Sequence, residues 1–510
     1  MRYILVYDIL SSGTTTSLFG EDGSLAGRAF CPHQIQFSGE RAQQSPQEWV
    51  NAIKTTTPKV LAGIDPKQIA VVTFTDQVQV CLCVDQEGQP LMDAFTWSDS
   101  RSKEIGDPFA GKISHDAYYH LTGTYNTPRT PLRKLLWVRE KMPEIFEKTY
   151  KMLGCKEYII RQLTGEFVAE YSAAVTTGAF NIRERCWDRE LLRMCGLPED
   201  KLPAPVGNTQ FIGTVSAGAA QEFGLPQGVP VFAGAGDLTS SAVGAGATNE
   251  GDCYMSVSSS SWIAVVSRQP VLSSKMLVEN TIHAADGLYL AYGNLQEISA
   301  TIKWLKNGVL YYGDSEERVV APFKNYYPYD QMGEEIAGTA AGANGLLFLP
   351  YLLGPGTSPY DVNPYAAYLG LTVDTTRGEL VRAGLEGATF AMKTYLQLFR
   401  EHYAIRQITA TSAASKEEFW MQIMADIFEA EVSNTNILIP PDAIGAAIMG
   451  GAGAGLYPDL NQTDRFRQLK NTFAPRPDQV QRYRTLFELY ESAAAALTDV
   501  NRQLAALKRK

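Results

Sequence analysis

The 510-residue sequence lacks the features that mark several large classes of protein. No run approaches the ~18 consecutive apolar residues of a transmembrane helix, and the stretch before Asp8 is too short for a signal peptide. We therefore expect a cytoplasmic protein without a membrane partner. Lysine and arginine form no block except at residues 508–510, and the net charge is −10. A nucleic-acid partner is not expected, because phosphate backbones are bound by clustered positive charge.

Metal-binding and hydrolase signatures are missing as well. The seven cysteines include no C-x-x-C pair, and the five histidines never recur four residues apart, so the sequence does not indicate a zinc site. Cys81 and Cys83 alternate inside an apolar run, which indicates reduced core thiols. No Gly-x-Ser-x-Gly elbow is present, which leaves an α/β-hydrolase-like enzyme as an alternative with little support.

The composition that is present is typical of a folded protein. Apolar residues make up 45% of the chain and charged residues 20%, ordinary values for a globular protein. The 43 glycines indicate many tight turns or close approaches of the backbone to a neighbour. A single hydrophobic core seldom grows to this length, so two large domains are expected.

A strand–turn–strand pattern occurs twice, far apart in the chain. Residues 3–19 read as a strand, a turn of small polar residues and a second strand. The same layout returns over 252–266, with serines 258–261 in the turn. We infer two related halves from the order of these elements, although short strands around polar turns are common in proteins.

Apolar periodicity predicts α/β structure throughout the chain. Strands are expected over 69–74, 80–84, 229–232 and 346–349, and helices over 132–141, 379–399, 417–430 and 443–455. The last helix is so rich in glycine and alanine that its backbone must approach a neighbour closely. Tight packing on a sheet and contact with a ligand both explain this composition, and the sequence does not decide between them.

One carboxylate follows a glycine-rich turn between a strand and a helix. Asp237 ends the sequence Gly234-Ala235-Gly236-Asp237 and precedes a helical pattern over 238–243. In open α/β sheets such turns lie at the carboxyl ends of strands, where ligands bind. A helix cap would contribute about 1 kcal/mol and would not need glycines before it. Gly234 and Gly236 therefore favour a general base at the mouth of a cleft.

Eight short segments follow one another along nearly the whole chain. They read QSPQEW at 44–49, WSDSR at 97–101, PLRKLLW at 131–137, LTGE at 163–166, GD at 236–237 with AVGAG at 242–246, LPYL at 349–352, LGL at 369–371 and FWMQIMAD at 419–426. In this order they resemble the FGGY carbohydrate kinases of the actin/hexokinase superfamily, and their xylulokinase-like subgroup in particular. Each segment alone is weakly specific, whereas their shared order is strongly so.

The resemblance implies an α/β fold with two duplicated ribonuclease H-like (actin/hexokinase-type) domains flanking a central cleft. An N-terminal domain over 1–247 would bind the sugar and carry the catalytic aspartate, and a C-terminal domain over 248–510 would bind the nucleotide. The implied activity is ATP-dependent, in-line phosphorylation of a sugar hydroxyl, with Mg²⁺ as cofactor. The acceptor would be a ketopentose such as xylulose, or a related polyol. The sugar and ATP are thus the expected partners, and a homodimer is considered as well.

By the same resemblance, Asp237 would take the proton from the attacking hydroxyl, and Asp8 would hold Mg²⁺. The sugar would lie near Gln77, Val78, Gln79, Trp97, Asp99, Arg101 and Leu238. The nucleotide would bind at three turns, formed by Ser11, Ser12, Gly13, Thr14 and Thr15, by Ser258, Ser259 and Ser260, and by Ser412, Ala413 and Ala414.

The nucleotide turns depart from the family pattern. Leu10 stands where the family has a glycine, and Thr15 where it has a lysine or arginine. Ser412, Ala413 and Ala414 replace glycines. Because Thr15 carries no charge, a charge-assisted phosphate contact of roughly 1.5–3 kcal/mol is lost unless another cation replaces it. A second hypothesis is therefore left open, a catalytically weak or inactive homologue that acts as a sugar-binding regulatory protein.

Overall fold

The computed structural model describes residues 1–257, 261–273, 277–294, 296–309, 328–352, 365–411, 417–435, 439–467 and 469–508. Two seven-stranded sheets, one in each half of the chain, form its centre. This arrangement confirms the predicted α/β fold with two sheet-containing domains. No helix in these ranges is long and apolar enough to cross a membrane.

The N-terminal sheet begins with a hairpin. Its strands are Tyr3–Leu10, Gly13–Gly20, Leu25–Pro32, Ile69–Asp76, Phe211–Thr214, Pro230–Phe232 and Ala235–Gly236. The first three are antiparallel neighbours, and the fourth lies parallel to the first. Tyr3–Leu10 is a nearly continuous apolar run because both of its faces are buried, as is typical of a central strand. The register places Asp8 opposite Thr15 on one side and Thr75 on the other.

The C-terminal sheet repeats this plan. Its strands are Cys253–Ser256, Trp262–Ser267, Glu279–Ile282, Tyr289–Asn294, Gln407–Thr411, Glu431–Thr435 and Leu469–Phe473. Cys253–Ser256 pairs antiparallel with Trp262–Ser267 and parallel with Gln407–Thr411, as the first strand of the N-terminal sheet does with its neighbours. The strand–turn–strand pattern that occurs twice in the sequence is therefore the hairpin that opens each sheet.

Helices and short strands fill the connections. The α-helices are Pro46–Val60, His115–Thr122, Pro131–Lys141, Pro143–Lys148, Cys155–Thr164, Tyr171–Thr176, Arg189–Cys195, Ala217–Phe223, Asp237–Gly244, Gln296–Trp304, Pro328–Ala337, Arg377–Arg400, Glu418–Phe428, Pro441–Gly453, Thr463–Phe466 and Pro477–Lys508. A three-stranded sheet contains Gln36–Ser38, Arg41–Gln44 and Ala94–Phe95. Two-stranded sheets pair Leu82–Val84 with Lys151–Leu153, Val168–Glu170 with Ala204–Val206, Phe180–Asn181 with Cys186–Trp187, and Leu347–Leu349 with Ala367–Leu369.

Two of these helices form the junction between the halves. We call Asp237–Gly244 the Asp237 helix and Pro441–Gly453 the small-residue helix. The small-residue helix follows six of the seven strands of the second sheet in the chain, yet it packs on the first sheet, with Gly450 against Thr73. Where it crosses the Asp237 helix, an added Cβ on Gly445 would overlap the carbonyl oxygen of Ser240. Close packing therefore explains its glycines, and it begins two residues before the predicted start.

The other predicted elements are present with small shifts at their ends. The helix predicted over 379–399 is Arg377–Arg400, and a capping box of Thr376 and Glu379 begins it. The strand predicted over 80–84 is limited to Leu82–Val84, since the chain turns at Gln79, which has a left-handed backbone with φ 60°.

Candidate active site

The carboxyl ends of the central strands carry the candidate site. Asp8 lies near the end of Tyr3–Leu10, and Asp237 follows Ala235–Gly236, which pairs with the end of Ile69–Asp76. In the second sheet, Ser256 and Thr411 are register partners at the ends of their strands. The predicted nucleotide-binding residues Ser258, Ser259, Ser260, Ser412, Ala413 and Ala414 follow these strands and lie outside the described residues.

Asp237 lies at a tight turn of the backbone over residues 234–237, which we call the Asp237 corner. Gly234 has φ 70°, and an added Cβ would overlap the carbonyl oxygen of Phe74, so this position requires glycine. Gly236 is the N-cap residue of the Asp237 helix, and Asp237 Oδ1 accepts a hydrogen bond of 2.8 Å from Leu238 N. The carboxylate of Asp237 is therefore not the helix cap that the alternative interpretation required.

The environment of Asp237 suits proton transfer. Burial raises the pKa of its carboxyl to about 7. The hydrogen bond from Leu238 N lowers this pKa, the negative charge of Asp442 raises it, and the positive charge of Lys156 lowers it. A carboxylate that titrates near neutral pH can accept a proton from a hydroxyl and release it afterwards. Asp237 thus has the properties of a general base.

Asp8 is a buried carboxylate with one free oxygen. The residue is 2% exposed, and its Oδ1 has no hydrogen-bond partner in the described part of the chain. Burial raises its pKa well above the usual range, and the charges of Asp442 and Asp237 raise it further, whereas Arg28 lowers it. An unpaired buried carboxylate oxygen is costly unless a cation or donor binds there.

This environment fits a hard divalent cation. No three His, Cys, Asp or Glu side chains within the described ranges are grouped to hold an ion by themselves. Mg²⁺ does not need such a group, because it is usually held by one or two carboxylates with water and phosphate oxygens completing its shell. Asp8 has a free oxygen for that contact.

Asp442 is a functional candidate that the sequence did not reveal. It lies in the first turn of the small-residue helix, is 8% exposed, and accepts a hydrogen bond of 2.9 Å from Ala443 N to its Oδ1. Its charge acts on both Asp8 and Asp237. Acids are common in the first turn of helices, so sequence alone gives no reason to single it out.

A buried ion cluster lies behind the Asp237 corner and was also missed. Lys156 Nζ contacts Asp76 at 3.1 Å, Glu157 at 2.7 Å and Glu170 at 3.1 Å, and all four side chains are buried. Burial lowers the pKa of Lys156, but the three carboxylates outweigh it and hold the pKa well above its ordinary value. Glu170 Oε1 also accepts a hydrogen bond of 3.2 Å from Gly236 N, so the cluster fixes the backbone that carries Asp237.

A hydrogen-bond chain connects the first turn to the predicted sugar residues. Trp97 Nε1 donates to Ser11 Oγ at 2.8 Å, and Ser11 Oγ donates to Gln77 Oε1 at 2.7 Å. Gln77 Nε2 in turn donates to Gln44 Oε1 at 2.7 Å. The structure therefore brings Ser11, predicted to bind nucleotide, together with Gln77 and Trp97, predicted to bind sugar.

The predicted sugar residues Val78, Gln79 and Leu238 surround the same corner. Val78 packs against Gly236, and Leu238 directly follows Asp237. The carbonyl oxygen of Gln79 accepts a hydrogen bond of 2.8 Å from the buried Lys134 Nζ. This contact holds the left-handed backbone of Gln79 in place, and such backbone strain is often found at functional sites.

Asp99 and Arg101 bind each other. Arg101 Nη2 lies 2.7 Å from Asp99 Oδ2 and donates at 2.7 Å to Gln43 Oε1, and its guanidinium carbon lies 3.7 Å from the Phe95 ring centroid. Asp99 also accepts from Ala42 N. With both side chains buried, these contacts brace the segment that carries Trp97, and direct contact of either residue with a sugar stays a prediction.

The first turn is a short hairpin tip. Ser12 is exposed at the tip, and Gly13 packs so closely against the ring of Phe30 that a Cβ would overlap it. Thr14 Oγ1 lies 3.1 Å from His33 Nε2, and Thr15 is buried. Backbone groups and Ser12 are thus what the tip presents to a ligand.

Comparison with known proteins identifies a family whose domain models match this chain. Residues 3–244 match the FGGY family of carbohydrate kinases, N-terminal domain, and residues 253–454 match the C-terminal domain of the same family. The chain is 27% identical over 516 residues to a gluconokinase of Bacillus subtilis (strain 168), covering 99% of this chain and 98% of that protein.

Two further relatives agree with that assignment. A xylulose kinase of Bacillus subtilis (strain 168) is 26% identical over 514 residues and covers both chains completely. The crystal structure of ligand-bound xylulose kinase from Lactobacillus acidophilus superposes with a TM-score of 0.89 at 24% identity, over 99% of this chain and 100% of that one. Since both family domains match in order over most of its length, the chain belongs to the FGGY family of carbohydrate kinases.

Proposed function

We propose that this protein transfers the γ-phosphoryl group of ATP to a hydroxyl group of a sugar or sugar acid. The observation that carries the proposal is the position of Asp237, a carboxylate with a pKa of about 7 that lies at the same sheet edge as the buried, unpaired Asp8. A regulatory protein without activity would not need this pair. Family membership supports the same activity.

In the proposed reaction, Asp237 accepts the proton of the sugar hydroxyl as its oxygen attacks the γ-phosphorus. A new P–O bond forms to the sugar, the bond from the γ-phosphorus to the β,γ-bridging oxygen breaks, and ADP leaves. Asp8 would hold Mg²⁺, which would offset negative charge on the phosphates. Lys156 and Glu170 keep the Asp237 corner rigid, so that the base is aimed before the sugar binds.

The acceptor is proposed from the relatives and the hydrogen-bond chain. Relatives are named for gluconate and for xylulose, both polyhydroxylated compounds of five or six carbons. Gln77 and Trp97 belong to a polar hydrogen-bond chain with Ser11, and a site lined by such groups selects ligands by their hydroxyls. We propose xylulose and gluconate as the first acceptors to test, with related polyols next.

We also propose that the sugar and the nucleotide are bound by different halves of the chain, with the boundary near residue 247. Residues 1–247 contain Asp8, Asp237 and the hydrogen-bond chain from Trp97 through Ser11 to Gln77, and are proposed to bind the sugar. Residues 248–510 contain the second sheet and are proposed to bind the adenosine. Closure of the two halves would exclude water from the phosphoryl group.

The test is a coupled assay of ADP release with Mg-ATP and a panel of xylulose, ribulose, gluconate, glycerol and ribitol. We expect turnover of at least one acceptor. Asp237→Asn should lower kcat by roughly 10²–10⁴-fold while Mg-ATP affinity, measured by calorimetry, stays within about twofold.

Asp200→Asn, on a surface turn, is the matched control and should retain full activity. Failure of the wild-type protein to bind Mg-ATP at millimolar concentration, or equal turnover by Asp237→Asn, would refute the proposed function.

A further inference from the structure

The hairpin that should receive the phosphates contains no positive charge. Residues 3–27 include neither lysine nor arginine, and Thr15 occupies the position where the family pattern has a basic residue. The acidic groups around the hairpin are Asp8 itself and Asp442, Asp237 and Asp76, whose charges act on it. A triphosphate brought to this place would meet repulsion, and a single Mg²⁺ offsets only part of it.

Strand pairing brings one arginine to this place. Asp8, Thr15 and Phe30 are direct cross-strand partners and share one face of the sheet. Arg28 lies two residues before Phe30 on the same strand, so it points from the same face, one row away. Arg28 is opposite Ser17, which is opposite Val6, and Val6 packs under the small-residue helix.

The charge of Arg28 acts on the site, while its side chain stays accessible. Arg28 lowers the pKa of both Asp8 and Asp442. The residue is exposed, and its guanidinium forms no ion pair within 4 Å in the described part of the chain. Arginine on the surface is usually paired or extended into water, whereas this one is near two buried carboxylates without binding either. Its donors are therefore available to a ligand that bridges the gap.

We propose that Arg28 is a phosphate-binding residue, which supplies from the third strand the positive charge that the hairpin lacks and donates hydrogen bonds to the phosphate chain of the nucleotide beside Asp8. A guanidinium suits this task because its planar donors match phosphate oxygens in pairs. Phe30, which covers Gly13, lies next to it and would limit access of water to the same contact. The inference rests on the proposed kinase function.

The test compares Arg28→Gln and Arg28→Lys with the control Arg193→Gln. Arg193 is also an exposed arginine, on the helix Arg189–Cys195, and its partner is Glu190. Calorimetry with Mg-ADP and Mg-ATP should show affinity reduced by about 10- to 100-fold in Arg28→Gln, by less in Arg28→Lys, and not at all in Arg193→Gln. The KM for the sugar and the thermal midpoint should be unchanged in all three.

A charge-relocation variant sharpens the test. Thr15→Lys, added to Arg28→Gln, places a cation on the neighbouring strand of the same face and should recover part of the lost nucleotide affinity. Wild-type nucleotide affinity in Arg28→Gln overturns the inference and leaves the kinase function intact. No affinity gain in the double variant contradicts a role for the charge itself. A wild-type protein that binds no nucleotide refutes both proposals.

Discussion

The charge on Asp442 acts on both of the other carboxylates at the site. Its burial in the first turn of the small-residue helix brings a third negative group to the region of Asp8 and Asp237. Burial raises the pKa of all three carboxyl groups, and the charge of Asp442 raises the pKa of Asp8 and Asp237 further. For Asp237 the result is a base that changes its charge close to pH 7.

The pH dependence of the reaction should follow Asp237. Because the base must be ionised, kcat/KM for the sugar should fall by about tenfold per pH unit as the pH drops below a pKa of about 7. In Asp442→Asn a negative neighbour is lost, which lowers the pKa of Asp237, so the acidic limb should move to lower pH. Rates measured from pH 5 to pH 9 at low sugar concentration report this shift.

Asp116→Asn is the control for that measurement. Asp116 is an exposed acid in the first turn of its helix, whereas the charges that shift the pKa of Asp237 are those of Asp442 and Lys156, so the loss of Asp116 should leave the limb in place. A limb that stays fixed or moves to higher pH in Asp442→Asn would contradict the assigned charge coupling.

At the scale of elements, the crossing of the two junction helices is the most tightly packed feature described. Gly244 and Gly445 bring the backbones of the Asp237 helix and the small-residue helix into direct contact. No flexible side chain can yield there, since the atoms that a Cβ would meet are backbone oxygens of Pro441 and Ser240. The position of the Asp237 helix therefore depends on the absence of a side chain at Gly445 of the neighbouring helix.

Gly445→Ala should thus be costly. Overpacking of a close-packed contact costs about 1–3 kcal/mol, and here the strain acts on the helix that carries Asp237. We expect a lower thermal midpoint in scanning calorimetry together with a lower kcat.

Gly218→Ala is the matched comparison. Gly218 is also inside a helix, Ala217–Phe223, but an added Cβ there meets nothing within 4 Å. The alanine should be neutral or raise stability by up to about 1 kcal/mol. Equal midpoints for the two variants would show that the crossing tolerates a separation of the helices.

Local sequence patterns predict the elements well and the site only in part. The hairpin around Ser11 and the corner at Asp237 follow from apolar runs interrupted by small residues, which are local signals. Arg28, Lys156 and Asp442 have no such signal. Their roles arise from strand register and helix crossing, which bring together residues distant in sequence, so the pattern around each of them looks like an ordinary surface strand or helix start.

Within the whole molecule, the N-terminal sheet depends on the other half of the chain. Ile4, Val6, Phe19 and Val71 are buried on the face that the small-residue helix covers. Without that helix this face would be open to water, and an apolar surface of this kind promotes association. The two halves are therefore not independent folding units, despite having one sheet each.

A fragment of residues 1–247 should for this reason be unstable by itself. We expect it to bind a hydrophobic dye and to elute as aggregates in size-exclusion chromatography, whereas co-expression with residues 248–510 should return a soluble pair. A monomeric fragment with a cooperative melting transition would show that the sheet is complete without the helix.

The chain order of the small-residue helix also has a consequence during synthesis. Roughly 200 residues separate it from the Asp237 helix, and ribosomes add about 5–20 residues per second, so its partner face waits about 10–40 s after being made. The newly made half is expected to need shielding by a chaperone throughout that interval. The N-terminal sheet can therefore complete its folding only after the small-residue helix, in the last third of the chain, has been synthesised.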